Sequence, residues 1–200
     1  MKGFRSVFAL ALVLLVLAAP VHSFAVSTIV VDAGHGGIDR GGQPGQRTTE
    51  KIYTLAVAQK LASKLRAAGF RVVMTRSGDY FVGLSQRCGI ANAERDAAFI
   101  SVHFNAAPRV GASGVETYYY SGRSRSLAEA VHREVLRVMG TENRGIRQRG
   151  FYVIRHTSCP SVLIESGFLT NPAEVRRLSS PDFQDSLAGA MARAIISRYR

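Results

Sequence analysis

Tryptophan is absent from this 200-residue chain, cysteine occurs only twice, and acidic residues number 14 against 26 lysines and arginines. Two cysteines cannot staple a loop-rich scaffold, so the fold has to rest on an apolar core, and a hydrophobic content of 46% is ample for one. Neither Cys88 nor Cys159 has the Cys-Gly-Ser-Cys-type surroundings of a thiol nucleophile. Whether the two pair or stay free is a matter of geometry, and both outcomes are open. Also missing are HExxH, GxxxxGK[ST] and any zinc-finger, RNP or basic-zipper pattern. Their absence takes away the local signatures of a single-helix zinc site, a phosphate-binding loop and nucleic-acid recognition.

Long apolar runs are scarce too. The one present, Val7 to Ala19, follows Lys2 and Arg5 and precedes Pro20, Ser23 and Ala25. A basic start, an apolar middle and a small-residue end form the pattern of a secretory signal peptide, and the run is shorter than the ~20 apolar residues a spanning helix needs. No cysteine stands at the cut to carry a lipid. The expectation is a leader over residues 1–25 and a single exported domain over 26–200, periplasmic or extracellular, without stable membrane insertion. Loss of Lys2 and Arg5 lowers the formal charge of +12 by two, to +10. A surface so basic favours anionic partners, and outside the cytoplasm these are a wall polymer or a membrane surface rather than nucleic acid.

Apolar periodicity divides the mature part into alternating strands and helices. Phe24–Val31, Arg71–Thr75, Ala98–Phe104 and Val115–Tyr120 read as strands, with short strands at Phe151–Ile154 and Ser161–Glu165. A helix is expected over Glu50–Ala68, capped by Thr48 or Thr49, stopped by Gly69, and burying Ile52, Leu55, Ala56, Ala58, Ala62 and Leu65. Further helices are expected over Leu84–Arg95, Ser124–Met139 and Asp182–Tyr199, with a turn or short helix opened by Pro172. This order predicts an α/β fold: one domain with a largely parallel or mixed central sheet and helices on both faces.

Ligands of such sheets bind beyond the carboxyl ends of the strands. Three of these ends carry titratable groups: His35 in VVDAGHGGIDRGG, His103 in FISVHFN and Glu165 in SVLIESGF, with Glu50 at the first helix start. Two histidines and a carboxylate are a common catalytic zinc set, and a further carboxylate beside the metal can move protons. The spacing is long-range, so on the residues alone a zinc site and ordinary hydrogen-bonded structure stand equal. The glycine run is then a device that lets the backbone curl and present His35.

In VVDAGHGG, TTEKIYTLAVAQKL, IANAERDAAFISVHFNAA, GVETYYY and CPSVLIESGFLTNP, taken in that order, the chain resembles the zinc-dependent N-acetylmuramoyl-L-alanine amidases. These enzymes cut peptidoglycan between the lactyl group of muramic acid and L-alanine. The resemblance implies one catalytic Zn2+ held by His35, Glu50 and His103, with Glu165 as the catalytic glutamate and peptidoglycan as the partner. It neither requires nor excludes an activator protein. Asn105 and Gly167 shape the site on this reading, Asp32 orients His35, and Glu116 is an orienting group or an ion-pair partner at a strand edge. His132 is expected on a solvated helix face with Glu129 and Arg133, and His156 is a candidate for the cleft wall. Phe104 and Arg149 depart from the residues common in relatives, the first from a small side chain and the second from alanine. The short Ser121–Gly122 connection leaves no room for the cleft-blocking helix that some relatives insert. A zinc peptidase acting on the stem peptide, or a silent wall-binding protein, remains the alternative.

Overall fold

The computed structural model describes residues 26–42 and 49–200. The expected leader, and Thr48 as a cap, lie outside the described residues. Six strands and six helices follow in the order β1 (Thr28–Ala33), α1 (Glu50–Ala67), β2 (Arg71–Met74), α2 (Leu84–Asn92), β3 (Ala97–Asn105), β4 (Val115–Tyr119), α3 (Arg125–Met139), β5 (Asn143–Gln148), α4 (Tyr152–Arg155), β6 (Ser161–Phe168), α5 (Pro172–Leu178) and α6 (Pro181–Tyr199). A 3₁₀ turn over Gly122–Ser124 leads into α3. The strands form one sheet in the order β2-β1-β3-β6-β4-β5. All pairs are parallel except β4 with β6, which run antiparallel. The mixed α/β sheet expected from the sequence is the one observed.

The apolar runs explain the layers. Ile29, Val31, Ile100, Val102, Val162 and Ile164 point to one face, where Leu61 and Leu65 of α1, Leu127 and Val131 of α3, and Leu187 and Met191 of α6 complete the larger core. Full burial of one such aliphatic side chain contributes about 1.5–3 kcal/mol. The opposite face carries a smaller core, in which Val30, Phe99, Tyr118 and Leu163 meet Cys88 and Ala91 of α2 and Val153 and Ile154 of α4. These two helices cover the early residues of the strands. The later positions on that face, His103 and Glu165, lie beyond them. No described helix is long and apolar enough to cross a membrane.

Several expectations are corrected. Residues 151–154 fall in and around α4 rather than a strand, because a four-residue apolar run has no period of its own and here packs against α2. β5 was not expected; NRGIRQ is a polar edge strand that buries no residue fully. Ile52 of α1 is 62% exposed, and the buried stripe passes instead through Thr54, Val57, Ala58, Leu61, Ala62 and Leu65. His132 is buried, not solvated, bridging Thr117 Oγ1 at 3.0 Å and Asn143 Oδ1 at 2.8 Å, and thereby tying α3 to β4 and β5. Cys88 and Cys159 are both free thiols.

Candidate active site

The loop after β1 bends through backbone that side chains rarely adopt. His35 has φ 61°, and such left-handed geometry in a histidine persists only where surrounding contacts over-determine it. Two buried arginines provide those contacts. Arg76, two residues past β2, donates to the carbonyls of Ala33 (2.9 Å), Gly34 (2.8 Å) and Lys51 (2.8 Å) and to Thr54 Oγ1 (2.9 Å). Arg87 of α2 donates to the carbonyls of Val82 (3.0 Å), Ala33 (2.7 Å) and His35 (2.7 Å) and to Asp32 Oδ1 (2.6 Å). Glycine is required where the loop meets its partners. A Cβ at Gly34 would lie 2.3 Å from His103 Cε1, and one at Gly41, with φ 65°, would lie 2.6 Å from Glu50 Oε2.

This packing brings His35, Glu50 and His103 together, with one ligand atom from each within 4.8 Å of the others. His35 Nε2 is 2.9 Å from Glu50 Oε2, and His103 Nδ1 is 2.8 Å from Glu50 Oε1. Glu50, at the N-terminus of α1, also accepts from the backbone N–H groups of Gly42 (3.1 Å) and Phe104 (3.0 Å). Burial opposes its charge, but hydrogen bonds from His103 and His35 and their charges outweigh that and hold its carboxyl well below the usual range. Burial likewise pulls His103 down, yet the hydrogen bond and charge of Glu50 push it up to about 9, and His35 is raised by the same carboxylate.

His35 Nδ1 is held by Asp39 Oδ2 at 2.8 Å. Asp32, expected to orient His35, does not: it is fully engaged by Arg87, Ser101 Oγ (2.6 Å) and Thr75 Oγ1 (2.6 Å), which keep its carboxyl low despite burial. Asp39, Arg76 and Arg87 were not singled out from the sequence. Asp39 stands four residues from His35, a spacing that could have suggested the carboxylate partner that metal-ligating histidines usually keep. The arginines gave no signal, because charged side chains on ordinary elements read as surface.

Glu165 is paired with His103 in the β3–β6 register and with Glu116 in the β4–β6 register. Its Oε2 is buried with no hydrogen-bond partner, and burial pushes its carboxyl up to about 7 against the lowering influence of His103. With His35, Glu50, His103, Asn105 and Phe151 it lines a cleft of about 420 Å³. Asn105 donates to Glu116 Oε2 (2.9 Å), and Gly167, with φ 110°, packs under Met139 and Glu174. His156 is exposed, stacked on Tyr152, and outside the cleft. Phe104 is core, its ring edge-on to Tyr53, and Arg149 is exposed.

Residues 29–197 match the family model described as N-acetylmuramoyl-L-alanine amidase. The chain belongs to this amidase family. It is 37% identical over 194 residues to the Bacillus subtilis protein YqiI, covering 95% of this chain and 93% of that one. It is 35% identical over 177 residues to the N-acetylmuramoyl-L-alanine amidase LytC of Bacillus subtilis, covering 86% of this chain but only 36% of LytC. The catalytic domain of the amidase CwlV from Bacillus (Paenibacillus) polymyxa var. colistinus superposes with a TM-score of 0.81 at 37% identity, covering 86% of this chain and 97% of that domain. An amidase of this family hydrolyses a peptidoglycan amide.

The donor set fits a zinc ion. Two imidazoles and one carboxylate converge, one imidazole is oriented through its other nitrogen, and a buried carboxylate oxygen without a partner borders the cleft.

Proposed function

We propose that this protein is a zinc-dependent N-acetylmuramoyl-L-alanine amidase that acts outside the cytoplasm, hydrolysing the amide between the muramic acid lactyl group and L-alanine. The observation that carries the reading is the His35–Glu50–His103 cluster beside the partnerless Glu165 oxygen. His35, Glu50 and His103 hold the ion. When bound, zinc supplies a Lewis acid that polarises a carbonyl and lowers the pKa of a water to roughly 7.

Glu165 does the proton work. Its carboxylate receives the proton of the attacking water and then delivers it to the departing L-alanine nitrogen. Burial that pushes its pKa up to about 7 suits both halves of that task, since a group poised near neutrality takes and returns a proton with little penalty. Asp39 fixes the ring of His35, and Phe151 and Leu163 give the cleft an apolar wall. The connection from β4 to α3 is only the 3₁₀ turn at Gly122–Ser124 and its flanks, so the cleft carries no plug inserted there, and activity without a partner is expected.

The test is digestion of purified peptidoglycan by the zinc-loaded mature domain, with and without chelator, read by mass spectrometry. Intact stem peptides with a new L-alanine amine, abolished by chelator and restored by zinc, support the amidase reading. Shortened peptides still attached to glycan would replace it with a stem-peptide peptidase. Stoichiometric zinc with no release would leave a wall-binding or partner-activated protein.

A further inference from the structure

The face of the sheet that carries Glu165 continues beyond the cleft onto β4 and β5. Glu116 is opposite Glu165, Tyr118 is opposite Leu163, and Arg147 is opposite Tyr118, so these side chains share one face. Glu116 is buried. Its Oε2 accepts from Asn105 (2.9 Å) and from the Tyr118 hydroxyl (2.8 Å), while Oε1 faces Arg144 Nε at 3.4 Å and an Arg147 Nη at 3.5 Å. Arg144 is fixed from behind, since its guanidinium lies over the Phe168 ring at 5.0 Å and its stem fills the space against Gly114, where a Cβ would come within 2.6 Å.

The two arginines are not equivalent. Arg144 is 28% exposed and is shared between Glu116 and Glu142 (3.4 Å), so its charge is matched. Arg147 is 45% exposed, reaches Glu116 only at ion-pair distance, and makes one hydrogen bond, to the Arg144 carbonyl at 3.2 Å. Most of its fork of five donors is therefore without a protein acceptor among the described residues, on the face that continues from the cleft. Arg149, nearby on the same segment, adds positive charge and no acid.

Distance selects what this fork can meet. Neighbouring strands are about 4.8 Å apart, so Glu116 and the guanidinium it faces lie roughly one to two strand spacings from Glu165. An extended peptide advances about 3.3–3.6 Å per residue. That separation is within reach of the second residue of a stem peptide that leaves the cleft toward β4.

We propose that Arg147 is a specificity-determining residue that binds a free carboxylate on the second residue of the stem peptide, so that the enzyme favours acidic stem peptides over amidated ones. This rests on the amidase reading for the location of the cut, but not for the binding itself. A guanidinium recognises a carboxylate through paired, charge-assisted hydrogen bonds that a carboxamide cannot reproduce.

The test uses two soluble muramoyl peptides that differ only in a carboxylate or a carboxamide on the second residue. Binding is measured by calorimetry in the zinc-loaded Glu165→Gln protein, with and without Arg147→Ala, and wild-type turnover is measured separately. The expected result is a preference for the carboxylate compound of about 10- to 100-fold, the size of one lost charge-assisted hydrogen bond. Arg147→Ala should abolish that preference while leaving carboxamide binding within about two-fold, and Arg147→Lys should recover part of it. Equal affinity for the two compounds in the parent protein, or equal weakening of both by Arg147→Ala, overturns the proposal. If wild-type protein releases no stem peptide from peptidoglycan and cleaves neither compound, but the Arg147-dependent preference persists, the reading of an amidase active without a partner fails and the carboxylate site stands.

Discussion

Asp32 and Glu165 are both carboxylates held inside the same sheet, and they are treated in opposite ways. Asp32 has an arginine and two hydroxyls on its oxygens, and its pKa lies below the ordinary value. Glu165 has a buried oxygen with nothing on it, and its pKa is pushed up to about 7. A buried charge is tolerated when it is paired and both of its oxygens are hydrogen-bonded, as at Asp32; a buried group left unmet costs stability, and such groups cluster at functional sites. The first carboxylate belongs to the scaffold of the loop, and the second borders the cleft, where we propose that it moves protons.

The largest expected effect breaks the Glu165 side of this contrast. Glu165→Gln should lower turnover on peptidoglycan by ~10²–10⁴. Zinc content, measured by atomic absorption, should stay at one per chain, and the melting temperature should not fall, because the amide relieves a buried carboxyl that had no partner. Near-normal turnover in this variant would remove Glu165 from the mechanism.

On the Asp32 side the loss should appear in stability instead. Arg87→Met leaves the Asp32 charge buried and unpaired, and urea unfolding should show a loss of about 3–5 kcal/mol. Adding Asp32→Asn should recover part of it, since the stranded charge is gone. Equal losses in the single and double variants would mean that Arg87 acts mainly through the loop carbonyls.

Between the two lies Asp39, which holds the His35 ring without belonging to the core. Asp39→Asn should weaken zinc binding by about 10- to 100-fold in a competition with a chelating dye, with little change in the stability of zinc-free protein. The smallest effect is on pH. In zinc-free protein His103 is raised from 6.5 to about 9, so its stabilising contribution is complete below pH 6.5 and is lost as the pH rises through 9. Glu50 is lowered from 4.5, so its contribution is present above pH 4.5 and is lost as the pH falls through its depressed value. The cluster therefore favours the fold most between pH 4.5 and 6.5. Calorimetric melting of zinc-free protein should decline from pH 6.5 to 9, and the gain on adding zinc should grow over the same range, because the metal needs neutral imidazoles. A zinc-free melting temperature that rises over that interval would contradict the assignment.

Much of this was legible in the residues. The apolar runs of β1, β3 and β6 and the stripes of α1, α3 and α6 are long enough for period and composition to identify them. His35, Glu50, His103 and Glu165 were visible because each stands at the end or the start of such an element. Less legible were the segments whose state depends on a neighbour. β5 is a strand because β4 supplies its ladder, and Phe151–Ile154 is helical around α4 because α2 offers it an apolar seat. His132 was read as solvated from its charged neighbours Glu129 and Arg133, yet Thr117 and Asn143 meet both of its ring nitrogens.

By itself, then, the chain's order of residues determined the α/β layering, the strand ends that carry the four titratable groups, and the need for a glycine-rich turn after β1. Period and side-chain type are local properties, and they survive in one dimension. Only the tertiary structure decided that Asp39 rather than Asp32 orients His35, that Arg76 and Arg87 hold the loop, that both cysteines stay free, and that one oxygen of Glu165 lacks a partner. Those outcomes depend on which atoms arrive within about 3 Å of one another from distant parts of the chain, and hydrogen bonding is decided at that distance.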